Sequence, residues 1–534
     1  MKCKQLTSLN PRRPGRFIAL GILGCLLGAG IAVRAADRRP NFVFILGEAQ
    51  GWAALSTQMD RNNPQSKSDF FYTPNLAKVA REGMRFSRFY APSPRCTPSR
   101  ATYFTGISPA ALHMTFISTA DSGGRVRMPD SSTELPLSTT TIAEQLKTAG
   151  YTSAHFGKWH VGRTDPSQHG FDESDGATSN AGPENSQHPN PTQFYLTARK
   201  GIDFMTRSVK AGRPFYLQVS HYGGRSALDC KPETMEIMRQ RVGSRDLKNL
   251  GAAAVALDAD LSTGQILDAI DRLGIADNTY FFYTSDHGTQ GRNGPLASGK
   301  GSVREGGVRV PLIFRGPGIQ PGSYADMLTT GADLFPTITE LAGISAPLPQ
   351  AVEGGSLVPV LTGAGAGTIK RPREEFVVHF PHYDHDPAGP ASSLYLSDMK
   401  LVRQYETGEQ LLFNLQTDLG ERNNLAASMP DKVAELSRQL DAYLREVGAQ
   451  LPIVDPTRPI GAGQAPKPGF GSKPSPTLTA LDVNQDGKVD PTEMRNAAAA
   501  LMKLDRNRDG KLSEEEIRRG VKGGGKGNDK NRQQ

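Results

Sequence analysis

Cysteine is scarce in this sequence, and its scarcity limits how the chain can be cross-linked. Four cysteines occur in 534 residues, and Cys3 and Cys25 fall within a segment that we predict to be removed. An exported protein keeps Cys96 and Cys230, so a disulfide framework is excluded and at most one bridge is possible. If Cys96 serves chemistry, Cys230 is expected to be a small, buried apolar residue.

Long apolar runs are also scarce, and the run near the start is typical of an export signal. It spans Phe17 to Val33, ends in the small-residue site Val33-Arg34-Ala35, and follows the basic residues Lys2, Lys4, Arg12, Arg13 and Arg16. We predict a cleaved signal peptide over residues 1–35, a periplasmic or extracellular protein, and no stable membrane insertion after cleavage. A twin-arginine signal at Arg12-Arg13 and a lipoprotein site at Ile22 to Cys25 stay open as alternatives.

An excess of either charge is missing from the chain that remains after cleavage. The formal net charge is +8, but residues 1–35 hold six positive charges and no negative one, so their removal leaves +2. A nearly neutral enzyme body lacks the basic surface that nucleic-acid binding requires. We therefore expect no nucleic-acid partner.

Three short apolar segments indicate buried strands, and amphipathic stretches between them indicate helices. The strands are Asn41 to Leu46, Tyr280 to Thr284 and Val310 to Phe314, and the helices are Thr141 to Ala149 and Asp258 to Leu273. This alternation predicts an α/β layered fold with a large, mostly parallel central sheet. Ligands of such sheets bind beyond the carboxyl ends of the strands, here at Gly47 to Trp52 and Ser285 to Gly288.

The strongest chemical signal is the pentapeptide Cys96-Thr97-Pro98-Ser99-Arg100, followed by Thr105-Gly106. It resembles the CxPSR motif of the type I sulfatases, members of the alkaline-phosphatase-like superfamily, in which a formylglycine-generating enzyme oxidises the cysteine to formylglycine. Other segments agree with the family's order over roughly residues 38–452: Arg39 to Asn41, Thr73 to Leu76, Gly157 to His160, Ser285 to Gly288, Lys300 to Ser302, Glu305 to Gly307, Asp333 to Thr337 and Asp418 to Leu425.

The resemblance implies a role for each matching side chain. Arg100 orients the formylglycine, Lys158 and Lys300 bind sulfate oxygens, and His160 helps to expel sulfate. A hydrated aldehyde attacks sulfur, the alcohol leaves, and sulfate is released as the aldehyde re-forms. A divalent cation and cationic side chains stabilise the charge that develops in the transition state.

Two positions depart from the family's pattern, and the first concerns calcium. Where the family has two adjacent aspartates, this chain has Glu48-Ala49-Gln50. Glu48 and Asp286 each supply a carboxylate, His287 is a poorer ligand in an oxygen site, and Ala49 supplies nothing. Asp60 or the Gln50 amide is a possible replacement, so we predict a weaker or altered metal site, with calcium as the expected ion.

The second departure concerns the proton donor for the leaving alcohol. Related sulfatases end an SHYxxH segment with a histidine that contacts the ester, and Arg225 stands at that place in Ser220 to Arg225. Arginine stays charged near neutral pH, so Arg225 can bind sulfate or a leaving oxygen but is a poor acid. His221 is the predicted substitute, and a purely structural histidine is the equal alternative.

The C-terminal region predicts a pair of EF-hand calcium loops, which resemble extracellular dockerin-like modules. Each loop has oxygen ligands, a turn glycine and a glutamate at the required spacing. The two ligand sets are Asp482, Asn484, Asp486, Lys488, Asp490 and Glu493, and Asp505, Asn507, Asp509, Lys511, Ser513 and Glu516. We expect structural calcium there, or attachment to a protein or cell-surface partner.

The sequence thus predicts a secreted sulfatase that acts on sulfated carbohydrate. A phosphate or phosphonate ester hydrolase of the same superfamily and a noncatalytic protein that binds sulfated glycans remain alternatives. Residues 114–136 and 165–192 are candidate specificity loops, with ordinary surface loops as the equal alternative. The predicted organisation is a signal peptide (1–35), a catalytic domain (36–380), a small α+β subdomain (381–451), a Pro/Gly-rich linker (452–479), the EF-hand pair (480–518) and a disordered basic tail (519–534).

Overall fold

The computed structural model describes residues 39–118, 124–180, 193–223, 229–243, 249–291, 293–460, 481, 496–505, 510 and 511. The predicted signal peptide, most of the predicted linker, the basic tail and Arg225 lie outside these residues. Of the predicted EF-hand ligands, Asp505 and Lys511 are described and the others lie outside. Across the described part of the chain, none of the helices combines the length and the hydrophobicity needed to cross a membrane.

The described chain alternates strands and helices as far as residue 362 and then forms a run of strands. The strands are β1 (Asn41–Gly47), β2 (Met84–Phe86), β3 (Phe89–Tyr90), β4 (Val126–Arg127), β5 (Thr152–Gly157), β6 (Glu173–Ser174), β7 (Phe215–Ser220), β8 (Thr279–Ser285), β9 (Leu312–Arg315), β10 (Ser323–Ala325), β11 (Thr329–Thr330), β12 (Phe376–Phe380), β13 (Ala391–Leu396), β14 (Met399–Gln404), β15 (Gln410–Asn414) and β16 (Ile453–Val454). The helices are α1 (Pro74–Glu82), α2 (Cys96–Thr105), α3 (Pro109–Leu112), α4 (Ile142–Lys147), α5 (Phe194–Lys210), α6 (Pro232–Val242), α7 (Leu250–Arg272), α8 (Glu305–Val308), α9 (Leu334–Leu341), α10 (Val358–Thr362), α11 (Pro430–Glu446) and α12 (Ala497–Leu501).

The central sheet has eight strands in the order β10-β2-β9-β8-β1-β7-β5-β6. Strand β9 runs antiparallel to both of its neighbours, and the remaining pairs are parallel. This confirms the predicted α/β fold with a large, mostly parallel sheet. In register, Leu46 pairs with Ser220 and Gly47 pairs with Ser285, so the residues that follow β1, β7 and β8 meet at one edge of the sheet.

Strand β1 is apolar along its whole length because helices cover both faces of the sheet. Phe42, Phe44 and Leu46 point into a core shared with α2, α4 and α9. Val43 and Ile45 point into a second core, which α1, α5 and α7 complete. This two-sided burial fixes the strand ends from which the functional residues project.

Two predicted elements have different limits in the structure. Helix α7 begins at Leu250 rather than at residue 258, because its first turns are apolar on most sides and pack in a separate cluster with α5 and α6, where amphipathic spacing gives no signal. Strand β9 begins at Leu312 rather than at residue 310. Pro311 precedes it and has no N–H for a sheet hydrogen bond.

The predicted small α+β subdomain is built on a second, antiparallel sheet. Its four strands lie in the order β12-β13-β14-β15, and α11 packs its apolar side on that sheet. Helix α11 spans the predicted stretch from Pro430 to Glu446. The sheet already begins at Phe376, and the loop from its first strand to its second returns toward the edge of the central sheet.

Candidate active site

The predicted catalytic residues converge because their strands end side by side. Glu48 follows β1, Lys158 follows β5, His221 follows β7, and Asp286 with His287 follows β8. Helix α2 begins at this edge with Cys96. The parallel strands therefore gather residues that are up to about 240 positions apart in the chain into one cluster.

Cys96 is the first residue of α2 and is 3 % exposed. Its Sγ atom lies 3.1 Å from His287 Nε2, 3.6 Å from Glu48 Oε1 and 3.8 Å from Lys300 Nζ. The helix starts here because Arg95 is extended, and Pro98 is tolerated within the first turn, where its missing N–H has no helical partner. The positive end of the helix dipole thus adds to the attraction for a negative group at residue 96.

Arg100 lies one turn further along α2, on the same side as Cys96, and joins the strand ends. Its guanidinium donates to Glu48 Oε2 at 3.0 Å, to Asp286 Oδ2 at 3.0 Å and to the Lys158 carbonyl oxygen at 2.6 Å. The side chain is fully buried. Arg100 is therefore fixed by three different strand ends, which suits the predicted orienting role.

Lys158 and Lys300 add two further cations around the nucleophile. Lys158 Nζ donates to Glu48 Oε2 at 2.9 Å, and Lys300 Nζ lies 3.8 Å from Glu48 Oε1. The Lys158 side chain is fully buried, whereas 10 % of the Lys300 side chain is exposed. The cluster therefore holds three bases against the two carboxylates of Glu48 and Asp286, which favours an anionic ligand.

The charges shift the pKa values of the groups they surround. Burial and Glu48 both raise the pKa of Cys96, but Lys158, Lys300 and His287 outweigh them and hold that pKa well below its usual range. Burial raises the pKa of Glu48, and the same two lysines with Arg100 reverse the shift and hold it well below its usual range. The site is therefore built for negative charge at residue 96.

Four donor groups in this cluster form a possible metal site. One ligand atom from each of Glu48, Cys96, Asp286 and His287 lies within 4.8 Å of the others. His287 Nδ1 lies 2.8 Å from the Gly288 carbonyl oxygen, which only accepts, so Nδ1 carries a proton and Nε2 points toward the cluster. Two carboxylates and an imidazole fit a divalent cation, although calcium normally takes about six to eight oxygens.

The structure also shows what Ala49 and the suggested replacements do. Ala49 has a left-handed backbone (φ 53°), and its N–H donates to Asp286 Oδ1 at 3.0 Å. One oxygen of the Asp286 carboxylate therefore already accepts a hydrogen bond from the backbone. The Gln50 N–H donates to Ser285 Oγ at 2.8 Å. Asp60 accepts from the Asn62 N–H in its own turn and is not among the clustered ligands. The altered ligand set stays a prediction.

The two predicted catalytic histidines occupy different environments. His160 has a left-handed backbone (φ 58°), and its carbonyl accepts from Thr97 Oγ1 at 2.8 Å, which ties it to α2 beside Cys96. Burial and Lys158 lower the pKa of His160. The ring of His221 packs edge-on against Phe194, and burial and Arg100 lower its pKa to about 3. Burial therefore favours the neutral imidazole of His221, and its role as the proton donor stays a prediction.

A pocket adjoins this cluster. Glu48, Ala49, Gln50 and His221 line the side toward the reaction centre, and apolar residues of α5 and α7 with Phe71 line the rest. The pocket provides space for a substrate group beside the carboxylates. Residues 224–228, which include Arg225, lie outside the described chain.

Sequence reasoning missed the contribution of the subdomain, which comes from residues 382–386 (His-Tyr-Asp-His-Asp) after β12. Both oxygens of Asp384 accept hydrogen bonds from the guanidinium of Arg95, the residue before Cys96. His385 contacts Gln290, and Asp386 accepts from Ser302. Two histidines and two aspartates in five residues at a strand end were the available signal.

Comparisons with known proteins agree with this geometry. The sulfatase family model matches residues 40–344, the model of the N-sulphoglucosamine sulphohydrolase C-terminal region matches residues 299–450, and the EF-hand model matches residues 476–498 and 497–522. The chain is 31% identical over 384 residues to the N-acetylgalactosamine-6-sulfatase of Canis lupus familiaris, covering 64% of this chain and 70% of that protein. It is 27% identical over 524 residues to a sulfatase of Formosa agariphila, covering 80% and 93%.

Solved structures share the fold. Ps i-CgsB in complex with k-i-k-neocarrahexaose superposes with a TM-score of 0.64 at 22% identity and covers 76% of this chain and 93% of that chain. The phosphonate monoester hydrolase of Agrobacterium radiobacter superposes with a TM-score of 0.56 at 19% identity and covers 76% and 96%. The sulfatase family model matches more than half of this chain. The chain therefore belongs to the sulfatase family and is a sulfuric ester hydrolase.

Proposed function

We propose that this protein is a secreted sulfatase that removes sulfate from sulfated carbohydrate through a formylglycine made from Cys96. The observation that carries the proposal is the position of Cys96, buried at the start of α2 and surrounded by Arg100, Lys158 and Lys300. A relative that shares 31% identity is named for a sulfated amino sugar, N-acetylgalactosamine 6-sulfate. That name supports the choice of carbohydrate as the substrate class.

The mechanism assigns each residue of the cluster one task. As formylglycine, residue 96 supplies a hydrated aldehyde that attacks sulfur, displaces the alcohol and later expels sulfate as the aldehyde re-forms. Lys158 and Lys300 bind the sulfate oxygens and stabilise their growing charge. Arg100 holds residue 96 against Glu48 and Asp286, and His160 accepts the proton that is lost when sulfate departs.

Glu48, Asp286 and His287 would hold a divalent cation, with calcium as the proposed ion. When bound, such an ion acts as a Lewis acid on the sulfate oxygens. Calcium in the EF-hand loops is proposed to be structural or to mediate attachment to a partner at the cell surface. Burial and Arg100 favour the neutral form of His221, which agrees better with its structural alternative than with a proton donor. Arg225 is proposed to bind the leaving oxygen or sulfate.

The test is sulfate release by protein produced in a host that has a formylglycine-generating enzyme. The wild type and Cys96→Ala are incubated with a panel of sulfated polysaccharides and oligosaccharides, and sulfate is measured by ion chromatography. We expect release from at least one glycan by the wild type and none by Cys96→Ala. Parallel rates on aryl sulfate and aryl phosphate separate this proposal from a phosphate or phosphonate hydrolase.

Two outcomes count against the proposal. Faster turnover of aryl phosphate than of aryl sulfate would assign the chemistry to phosphoryl transfer. Binding of sulfated glycans without turnover of any sulfate ester, by protein whose residue 96 is converted, would assign the chain to the noncatalytic binding proteins.

A further inference from the structure

Three consecutive residues of the subdomain, Asp384, His385 and Asp386, each contact a different segment of the reaction centre. They belong to the loop between β12 and β13, which returns from the antiparallel sheet. Their partners lie directly before the nucleophile, after the metal-site motif and after Lys300. This residue-by-residue match suggests that the loop forms a wall of the substrate site rather than an incidental contact.

The contact of Asp384 is the most buried of the three. Asp384 and Arg95 are 7 % and 8 % exposed, and the carboxylate accepts two hydrogen bonds from the guanidinium. Asp384 also packs on the backbone of Gly301, where a Cβ would collide with its carboxylate and where φ is +82°. Gly301 in turn donates to the Pro94 carbonyl oxygen at 3.1 Å. Asp384 thus binds together the segments that carry Cys96 and Lys300.

His385 occupies the outer part of the same contact. Its Nε2 atom lies 2.6 Å from Gln290 Nε2, and both side chains are exposed. The residue before Gln290 is Thr289, whose carbonyl oxygen accepts from the Lys300 N–H at 3.1 Å. His385 therefore follows Asp384, which is bonded to Arg95 next to Cys96. Gln290 follows Thr289, which is bonded to Lys300.

Contacts with residues 115, 116 and 126 hold the start of this loop. His382 stacks on Phe116 with ring centroids 4.7 Å apart, and its Nε2 lies 2.8 Å from Thr115 Oγ1. Tyr383 Oη accepts from the Val126 N–H at 3.0 Å. Thr115, Phe116 and Val126 belong to residues 114–136, one of the predicted specificity loops. Side-chain contacts of the residues before His385, and of Asp386 after it, hold this loop in place, which selective binding requires.

We propose that His385, together with Gln290, is a specificity-determining contact for the sugar next to the sulfate ester, and that Asp384 positions this contact through Arg95. The inference rests on the proposed function, because it assumes a carbohydrate substrate. Imidazole and carboxamide groups both donate and accept hydrogen bonds, which suits them to sugar hydroxyls. Both side chains are exposed and adjoin residues bonded to the segments that carry Cys96 and Lys300, so they can reach a sugar that extends from the sulfate.

The experiment compares two substrates with each variant. Initial rates of the wild type, His385→Ala, Gln290→Ala and His385→Gln are measured on a sulfated oligosaccharide that the wild type hydrolyses and on 4-nitrophenyl sulfate, which has no sugar. His113→Ala is the matched control, because His113 is another exposed histidine, bonded to the Gly448 carbonyl oxygen at 2.9 Å. Thermal unfolding of each variant shows whether the fold is kept.

His385→Ala is expected to lower kcat/KM for the oligosaccharide about 10- to 100-fold more than for the aryl sulfate, mainly through KM, because a hydrogen bond to the sugar is lost. His385→Gln is expected to recover part of the lost activity on the oligosaccharide. His113→Ala is expected to leave kcat/KM unchanged on both substrates. Asp384→Asn is expected to reduce kcat on both substrates, since it loosens Arg95 beside the nucleophile.

Equal losses on the two substrates, or no loss on the oligosaccharide, would overturn the inference while leaving the sulfatase assignment intact. A wild type that cleaves the aryl sulfate but releases sulfate from no glycan would instead refute the carbohydrate assignment, and the inference would fall with it.

Discussion

Two buried charge clusters in this molecule have the same composition and different roles. The reaction-centre cluster and the cluster at the junction with the subdomain each contain two acids and three bases. Their members are Glu48, Asp286, Arg100, Lys158 and Lys300 in the first, and Glu305, Glu421, Lys400, Arg304 and Arg309 in the second. A count of charges therefore does not distinguish the catalytic cluster from the structural one.

The burial of the carboxylates and the presence of a nucleophile distinguish them. In the junction cluster, the side chains of Glu305, Lys400 and Glu421 are fully buried, and Lys400 Nζ contacts the two carboxylates at 3.1 and 2.9 Å. In the reaction-centre cluster, 8 % of Glu48 and 10 % of Lys300 remain exposed, and a thiol with a lowered pKa lies between them. The closed carboxylates of the junction cluster connect the two domains, and Arg304 at its rim is 19 % exposed. The reaction-centre cluster has a nucleophile beside an accessible carboxylate, so this open cluster can bind an anion and react with it.

The largest expected effect comes from breaking the closed cluster. Lys400→Met removes the base shared by Glu305 and Glu421, each of which keeps one arginine partner. Removing one partner from a buried ion-pair cluster costs about 3–5 kcal/mol. We expect the free energy of unfolding to fall by that amount, measured by urea denaturation. The rate per folded molecule is expected to change little, so a loss of activity in fully folded Lys400→Met would show that the two clusters are not separable.

The matching change in the open cluster is Lys158→Met. It removes one of the groups proposed to bind sulfate oxygens, and the loss of one such donor lowers kcat by about 10²- to 10³-fold. Lys158 contacts one carboxylate and Lys400 contacts two, so we expect a smaller loss of stability than in Lys400→Met. Lys400→Met is thus expected to lose mainly stability and Lys158→Met mainly activity, which urea denaturation and steady-state kinetics of both variants check. A wild-type rate in Lys158→Met would contradict this expectation.

Calcium binding at the reaction centre can be measured separately from calcium binding in the EF-hand loops. In full-length protein carrying Glu493→Gln and Glu516→Gln, the loops lose their bidentate ligands. Calcium at about 100 times its Kd is still expected to stabilise this protein by about 2.7 kcal/mol through the reaction centre.

Adding Glu48→Gln to that background is expected to reduce the calcium-dependent stabilisation, because one of the two carboxylates is lost. Unfolding is followed with calcium and with a chelator. Equal stabilisation with and without Glu48→Gln would exclude Glu48 as a ligand.

The smallest effect concerns buried histidines, which both regions contain. Burial and Arg100 lower the pKa of His221 to about 3, and burial and His379 lower that of His382 to about 3. Both stay neutral in the fold, but in the unfolded chain each binds a proton below about pH 6.5. Between about pH 6.5 and 3 the unfolded state therefore binds more protons than the folded state. The free energy of unfolding decreases as the pH is lowered through that range.

Each of the two histidines is expected to contribute about 2 kcal/mol to the loss of stability between pH 7 and pH 5. His221→Gln and His382→Gln should each reduce the pH dependence of the unfolding free energy by that amount. An unchanged slope would show that the replaced imidazole already carries a proton in the folded protein.

The sequence was sufficient to predict the residues that lie at strand ends. The apolar strands from Asn41 and from Tyr280 predicted that Glu48 and Asp286 lie at one edge of the sheet, because parallel strands end at one edge. Lys158 was predicted from the family resemblance of Gly157 to His160. The contact of Arg95 with Asp384 spans 289 positions and depends on how the second sheet packs, which local patterns do not encode. The environment of His221 was equally hidden, since its low pKa arises from residues on other elements.

The account depends most directly on conversion of Cys96, and peptide mass spectrometry of protein from a host with a formylglycine-generating enzyme tests it. The account predicts that the peptide containing residue 96 loses about 18 Da, as the change from thiol to aldehyde requires. An unmodified Cys96, in a host that converts a control sulfatase, would contradict the proposed nucleophile.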